Sequence, residues 1–340
     1  MRLRTLAGLL WSGEFPLMMK ILRASNEFYR ACFVTAALSE GLYEKLKEGS
    51  VSFDHLSQGL NSDYSREGLR AWLNLGVSLR ELRYSAKGYS IKGTLSKKLA
   101  RCRNDTYQAL LQEIVQHHYR YVLQTPSVLR EQKRFPFDEI PGELIARSSR
   151  VIEPFLFEVV DESVPRTGPF RLLEVGCGSG IYIRRSCERN SSLTAVGLEL
   201  QPQVAEFART NIKAWGLEHR VDIEVSDVRA YLAEPEFDLV TLHQNIYYFP
   251  VEERVALARH LGHYLKPGGR LLLSTACQGG GPGVQALNVW VSTTEGYGPL
   301  PYSKQLCAQL KEAGFSEVHC KKLTPLESFY AFFARKPSES

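Results

Sequence analysis

The chain is poor in the residues that build covalent and metal cross-links. Its seven cysteines are an odd number, dispersed along 340 residues with no Cys-x-x-Cys pair. That spacing argues against a disulfide frame and a thiolate zinc site, and suits reduced thiols in a cytoplasmic protein. No His-x-x-x-His pair occurs, and His243, His260 and His263 are too spread to form a ligand set, so no metal is expected. Apolar runs of about 20 residues, the length of a membrane span, are also missing. The apolar stretch in MRLRTLAGLLWSGEF ends at Gly13-Glu14, too short for a signal peptide. There is no internal repeat and no low-complexity segment. The rest is ordinary for a globular chain: 44% hydrophobic and 23% charged residues, in a length that suits two domains.

Charge is uneven. Residues 1–150 hold 23 Lys/Arg against 15 Asp/Glu, and the remainder holds 19 against 22. The first half is therefore the part that could meet an anion. Its pattern predicts helices over residues 16–48, then FDHLSQGL and SREGLRAWLNLGVSLREL, then a β-hairpin in ELRYSAKGYSIKG. Three helices and a hairpin make a winged helix. Longer helices are expected at 105–125 and 142–163, followed by the linker VPRTGPF. From Arg171, seven short apolar runs alternate with helical segments, which predicts an α/β fold with a doubly wound sheet. The expected domains are 1–104, the winged helix; 105–167, linking helices; and 168–340, the sheet domain.

The first of those runs ends in RLLEVGCGSG, residues 171–180: an acid, Glu174, then glycine at Gly176, Gly178 and Gly180. Bare backbone at a strand-to-helix turn allows left-handed conformations and close approach to a ligand. The dinucleotide fingerprint GxGxxG does not fit, because its third glycine would fall on Ile181. Glu199, with Leu200 behind it, ends the second strand 19 positions beyond Gly180, where a carboxylate can accept both hydroxyls of a ribose. Asp227 and Val228 follow the third strand, placed to accept from an adenine amino group and to pack on its ring. LKPGGRLLL, residues 265–273, reads as a helix end, a tight turn and a strand.

Together these features resemble the class I S-adenosylmethionine-dependent methyltransferases from about Arg171 to Lys336. With the front domain included, the chain resembles the small-molecule O-methyltransferases of the caffeate and hydroxyindole type. AALSEGLYEKL, SFDHLSQGL and LRAWLNLGVSLRELRYSAKGYSI carry that resemblance, although SLREL stands where an apolar SLGLL-like segment is usual. The resemblance implies S-adenosylmethionine as cofactor and S-adenosylhomocysteine as product. It also implies a homodimer formed through the front domain and a small-molecule acceptor, with neither a membrane nor a nucleic acid as partner. Glu174, Gly176, Gly178 and Gly180 would hold the methionine end of the cofactor, and Glu199, Leu200, Asp227 and Val228 the nucleoside.

Chemistry is expected after the fourth strand, in FDLVTLHQNIYYFPVEER. In plant-type O-methyltransferases a histidine base stands nine positions after the strand's aspartate. Counted from Asp238, this chain has Tyr247 there. A tyrosine, pKa near ~10, orients an acceptor better than it deprotonates one. His243 matches a cofactor-contacting position in that family and, at ~6.5, is the better base on chemical grounds. The departure favours acceptors that need no strong base, so C- or N-methylation stands beside O-methylation. His118, Tyr248, Trp290 and Tyr297 are candidate acceptor-pocket residues, with core packing as the alternative for each. On a helix over 107–122, the apolar face Tyr107, Leu110, Leu111, Ile114, Val115, His118 and Val122 is expected inward, with His117 in solvent or at a subunit contact. The glycine run 279–281 suggests a movable lid. A winged-helix regulator that uses S-adenosylmethionine only as an effector is the reading from another class. Against it, the would-be recognition helix offers little beyond Asn74, Arg66 and Arg70 to reach base edges.

Overall fold

Two serines set the start of consecutive helices in the front of the chain. Ser52 accepts from the amide of His55 and Ser65 from that of Gly68, each satisfying a donor that the helix leaves open. In the computed structural model, which describes residues 10–60, 63–102, 105–136, 142–234 and 236–338, the chain divides into two units after His117. The front unit runs α1 (Glu14–Ser39), α2 (Leu42–Leu46), α3 (Phe53–Gly59) and α4 (Arg66–Ser78). The hairpin β1 (Leu82–Ser85) and β2 (Gly88–Ile91) follows, then α5 (Thr94–Ala100). Phe33, Val34, Leu42, Leu73, Leu82 and Tyr89 form its core.

Glu81 breaks the apolar pattern for a physical reason. It is 4% exposed. Its carboxylate accepts from Ser96 Oγ at 2.6 Å and lies 3.2 Å from Arg30 Nε on α1. Ser96 Oγ in turn shares a 2.7 Å hydrogen bond with Tyr43 OH. A buried charge is tolerable only when paired and hydrogen-bonded in this way.

The helical stretch from Thr106 corrects one expectation. An α-helix, α6 (Thr106–Gln112), passes through a π-helical turn, Glu113–His118, into α7 (Tyr119–Arg130). The buried positions are Ala109, Glu113, His117 and Tyr121, spaced by four, while Tyr107, Ile114 and Val122 are exposed. The wider π turn carries the inward face away from the 3.6-residue stripe. His117, expected in solvent or at a subunit contact, is therefore buried, and His118 is only half-buried.

In the second unit, helices Gly142–Ser148 and Glu153–Ser163 precede seven strands: β3 (Phe170–Val175), β4 (Leu193–Glu199), β5 (Val221–Val225), β6 (Phe237–His243), β7 (Leu265–Ala276), β8 (Ser316–Lys322) and β9 (Phe329–Arg335). Every apolar run forms a strand, though β7 begins at Leu265 and takes in the LKPGG turn. The order is β5-β4-β3-β6-β7-β9-β8, with β3 to β7 parallel and β8 and β9 antiparallel. Leu173, Val240, Leu242, Leu261 and Phe332 pack on one face, and Leu172, Ile183, Leu193, Ala205 and Leu239 on the other. Truncating any such fully buried leucine to alanine costs about 2–5 kcal/mol. Strand order reverses between β3 and β6, so a crevice opens at their carboxyl ends. Among the described residues no helix is long and apolar enough to cross a membrane.

Candidate functional site

The crevice is floored by the glycine turn. Gly176, Gly178 and Gly180 have φ of 65°, 54° and 77°, all left-handed. A β-carbon on Gly176 would overlap Asn245 Nδ2, whereas one on Gly178 would meet nothing within 4 Å. Asn245 donates to Val175 O at 2.9 Å and Gly176 O at 3.2 Å, so the loop after β6 fixes the loop after β3. Glu199, at the end of β4, accepts from Gly178 N at 3.1 Å and from Gln201 N at 3.2 Å. Leu200 beside it is 54% exposed, an apolar surface next to that carboxylate.

Three buried polar atoms of β3, β6 and the residue after β6 have no hydrogen-bond partner among the described residues. Glu174 is 1% exposed, and its Oε2 has no hydrogen-bond partner. Burial pushes its carboxyl well above the usual carboxylate range. On the adjacent strand Thr241 pairs with Glu174, and His243 stands two residues further on, hence on the same face of the sheet. His243 Nδ1 meets Ser274 Oγ of β7 at 2.9 Å, while Nε2 is buried without a partner. Burial pulls its pKa down to about 3. The ring of Tyr182 lies 4.8 Å from the histidine ring. Burial and, after it, the carboxylates of Glu153 and Glu174 raise the Tyr182 phenol. Gln244, next in the chain, has a left-handed φ of 57° and a buried side-chain nitrogen without a partner. Local strain of this kind gathers where a site needs it.

Asp227 is held by Arg229, whose Nη2 lies 2.7 Å and whose backbone amide lies 2.9 Å from its carboxylate. The Arg229 hydrogen bonds keep the Asp227 carboxyl below the usual range. The Val228 side chain is 4% exposed, and its carbonyl accepts from Tyr264 OH at 3.1 Å.

Tyr247 and Tyr248 follow β6, with ring centroids 4.8 Å apart, and Tyr248 packs on Tyr297 at 4.7 Å. Trp290 completes the group, 6.3 Å from Tyr297, 6.1 Å from Tyr121 and 6.2 Å from His118. The tyrosine after β6 and all four acceptor-pocket candidates thus fall in one aromatic cluster. Trp290 is 1% exposed, so packing accounts for it fully. Glu327 Oε2 accepts from Gly281 N at 2.8 Å, tethering the glycine run that the sequence suggests as a lid.

Sequence reading misses Asn245, Tyr182, Gln244 and Arg254. Asn245 and Gln244 lie inside a quoted motif, yet only contacts across strands reveal what they do. Among the described residues no group of three or more His, Cys, Asp or Glu could hold a metal.

Residues 172–269 match the family model described as "Methyltransferase domain". A ubiquinone biosynthesis O-methyltransferase of Xanthomonas euvesicatoria pv. vesicatoria is 32% identical over 126 residues, 36% of this chain and 50% of that protein. The chain thus spans about half the length of the curated relatives it matches. Among solved structures, the mitomycin 7-O-methyltransferase MmcR is similar at a TM-score of 0.78 and 18% identity, covering 96% of this chain and 99% of its own. Human N-acetylserotonin methyltransferase in complex with SAM gives 0.69 and 20%, covering 94% and 98%. These likenesses fix the fold, helical front and sheet domain together.

Proposed function

We propose that the chain is a cytoplasmic, homodimeric S-adenosylmethionine-dependent methyltransferase acting on a small, planar acceptor, with transfer to oxygen favoured. One observation carries this reading. The strand ends hold a buried carboxyl oxygen, Glu174 Oε2, and a buried imidazole nitrogen, His243 Nε2, each without a partner among the described residues. Such groups cost about 1–3 kcal/mol each unless a ligand satisfies them. Four residues after Glu174 stands Gly178, where a β-carbon would meet nothing within 4 Å among the described residues. The matched domain and the fold agree with that ligand.

When bound, the cofactor supplies a methyl carbon activated by a sulfonium. Glu174 and the bare Gly176–Gly180 turn would hold its methionine end, Glu199 the ribose hydroxyls, Asp227 the amino group of the base, and Leu200 with Val228 its ring. Asp227 keeps carboxylate lone pairs beyond those that Arg229 uses, so it remains an acceptor. The Tyr248–Tyr297 ring pair, in mutual contact, would offer the half-exposed Tyr248 side to the acceptor, with Tyr247 and His118 beside it. Their work is alignment and exclusion of water, which in-line displacement needs more than it needs a base. His243, with its pKa near 3, stays neutral at pH 7 and is a poor proton acceptor, so it serves as a cofactor contact. An acceptor hydroxyl that ionises readily, or an amine or enolisable carbon, fits this site.

Residues 1–104 would form a winged-helix dimerisation module, 105–167 the linking helices, and 168–340 the catalytic domain. Support for the dimer is the exposed apolar row Leu17, Met18, Ile21 and Leu22 on α1. A nucleic-acid role is disfavoured. Asn74 already accepts from Tyr89 OH, Arg66 pairs with Asp54, and Arg70 lies over the Phe53 ring.

The test is equilibrium dialysis with S-adenosylmethionine, followed by labelled methyl transfer into a panel of hydroxylated aromatics. Uptake that Glu199→Ala reduces at least 30-fold supports the reading. Folded protein that takes up no cofactor overturns it.

A further inference from the structure

Arg254 is a charged side chain with almost no surface. It opens the helix Arg254–Tyr264, is 1% exposed, and among the described residues its hydrogen bonds go to carbonyls, none to a carboxylate. Burial lowers its pKa to about 10, the only opposing influence being the Glu252 carboxylate. Two carbonyls take up the charge. Nε donates to Phe249 O at 3.1 Å, and Nη2 donates to Pro299 O at 2.6 Å. Phe249 belongs to the loop that follows β6, and Pro299 to the segment that joins Pro282–Thr293 to Ser303–Glu312.

The same two segments are stitched once more. Gly298 N donates to Tyr247 O at 3.0 Å. The approach leaves no room: a β-carbon on Gly298 would sit 2.8 Å from Arg254 Nη2 and 2.9 Å from Phe249 O. Tyr248 lies between the two stitched positions of the β6 loop, and Tyr297 directly precedes the stitched Gly298; their rings are paired at 4.7 Å. From the far side Arg134 Nη1 donates to Thr294 O at 3.3 Å and to Tyr297 O at 3.2 Å.

We infer that Arg254 is a positioning residue for methyl transfer: by bridging Phe249 O and Pro299 O it sets the spacing of the Tyr248–Tyr297 ring pair, and so the place of the acceptor relative to the cofactor. The inference rests on the methyltransferase reading of the crevice. A planar guanidinium reaches two carbonyls in different directions at once. A lysine ammonium, a point charge on a flexible stem, cannot hold both. Burying a cation is expensive, and hydrophobic packing of this loop would need no charge. The arrangement therefore suits a role in which geometry matters more than stability.

The experiment uses the full chain and three variants: Arg254→Met, Arg254→Lys and Gly298→Ala, the last keeping the arginine while crowding its contact. The readouts are S-adenosylhomocysteine affinity by calorimetry, near-ultraviolet circular dichroism of the aromatic cluster, and KM and kcat for the hydroxylated aromatic that the parent methylates fastest. The expected result is a KM for the acceptor raised at least tenfold in all three, lysine included, with S-adenosylhomocysteine affinity within twofold of the parent. Unchanged acceptor KM in variants that only melt earlier would reduce Arg254 to a structural residue and overturn the inference. A parallel loss of S-adenosylhomocysteine affinity would do the same. Should the parent transfer methyl to no acceptor, the methyltransferase reading is what fails. The clamp is then judged by the dichroism: an aromatic signal lost with intact far-ultraviolet signal supports it, and an unchanged one refutes it.

Discussion

Asn245 lies so close to Gly176 that the carboxamide nitrogen occupies the place where a β-carbon would stand. Its hydrogen bonds to Val175 O and Gly176 O hold the turn in the left-handed conformation seen there. Gly176 is thus constrained twice, by φ and by a neighbour. Gly178 is constrained by φ alone, since nothing lies within 4 Å of its missing side chain.

The two glycines therefore predict different failures. Gly176→Ala must displace Asn245 and strain the backbone, so stability falls by about 2–4 kcal/mol, left-handed strain plus overpacking. Gly178→Ala carries only the backbone cost, about 1–2 kcal/mol, but projects a methyl group into the space assigned to the cofactor. Its loss of S-adenosylhomocysteine affinity should exceed its loss of stability. Chemical denaturation and calorimetry on the same preparations decide the matter. Equal proportional losses in both variants would remove Gly178 from the binding surface.

Glu81 and Arg30 give a prediction about the front unit alone. Removing Arg30 leaves Glu81 without its cation in a buried place, and removing Glu81 leaves Arg30 with only the exposed Glu27, whereas removing both leaves no unpaired buried charge. Glu81→Leu should destabilise the chain by about 2–3 kcal/mol, below the 3–5 kcal/mol of a wholly buried pair because the Arg30 side chain is 30% exposed. Arg30→Met combined with Glu81→Leu should recover most of that loss. Denaturant midpoints of the two single variants and the double variant measure the coupling. Additive losses would show that the pair does not act as a unit.

The alternation of short strand-like runs with helical segments foretells all seven strands of the sheet, most of them apolar and bounded by polar turns, with β8 an exposed edge strand. The glycine turn and Glu199 are legible for the same reason: their chemistry is local, fixed by backbone φ and by a strand end. The inward face of residues 106–130 is not, since a π turn shifts burial to Glu113 and His117 with no apolar residue to announce it. Nor are Asn245 and Arg254, whose roles are hydrogen bonds to carbonyls 69 and 45 positions away in sequence. Glu81 looked like a flaw in an apolar segment because its partner, Arg30, lies on a different helix. Polar groups that act across the fold leave no periodic trace.

Glu174 and His243 shift in ways that separate stability from catalysis. The folded-state pKa of Glu174 is raised, so its favourable contribution is complete below the unfolded value of ~4.3 and is lost as pH rises through the folded pKa. Glu174→Gln should therefore stabilise the ligand-free protein at pH 7, the gain vanishing toward pH 4, while weakening cofactor binding. For His243 the folded pKa is depressed to about 3, so the contribution is complete above ~6.5 and is lost as pH falls toward 3. During turnover His243 stays neutral throughout the range in which an ordinary histidine titrates. The profile of log kcat against pH should then show no inflection near 6.5 that belongs to it. His243→Gln should lower cofactor affinity and leave the shape of that profile unchanged between pH 5 and 8. An inflection in the parent that disappears in His243→Gln would return the histidine to the role of general base, and with it acceptors whose hydroxyl must be deprotonated by the protein.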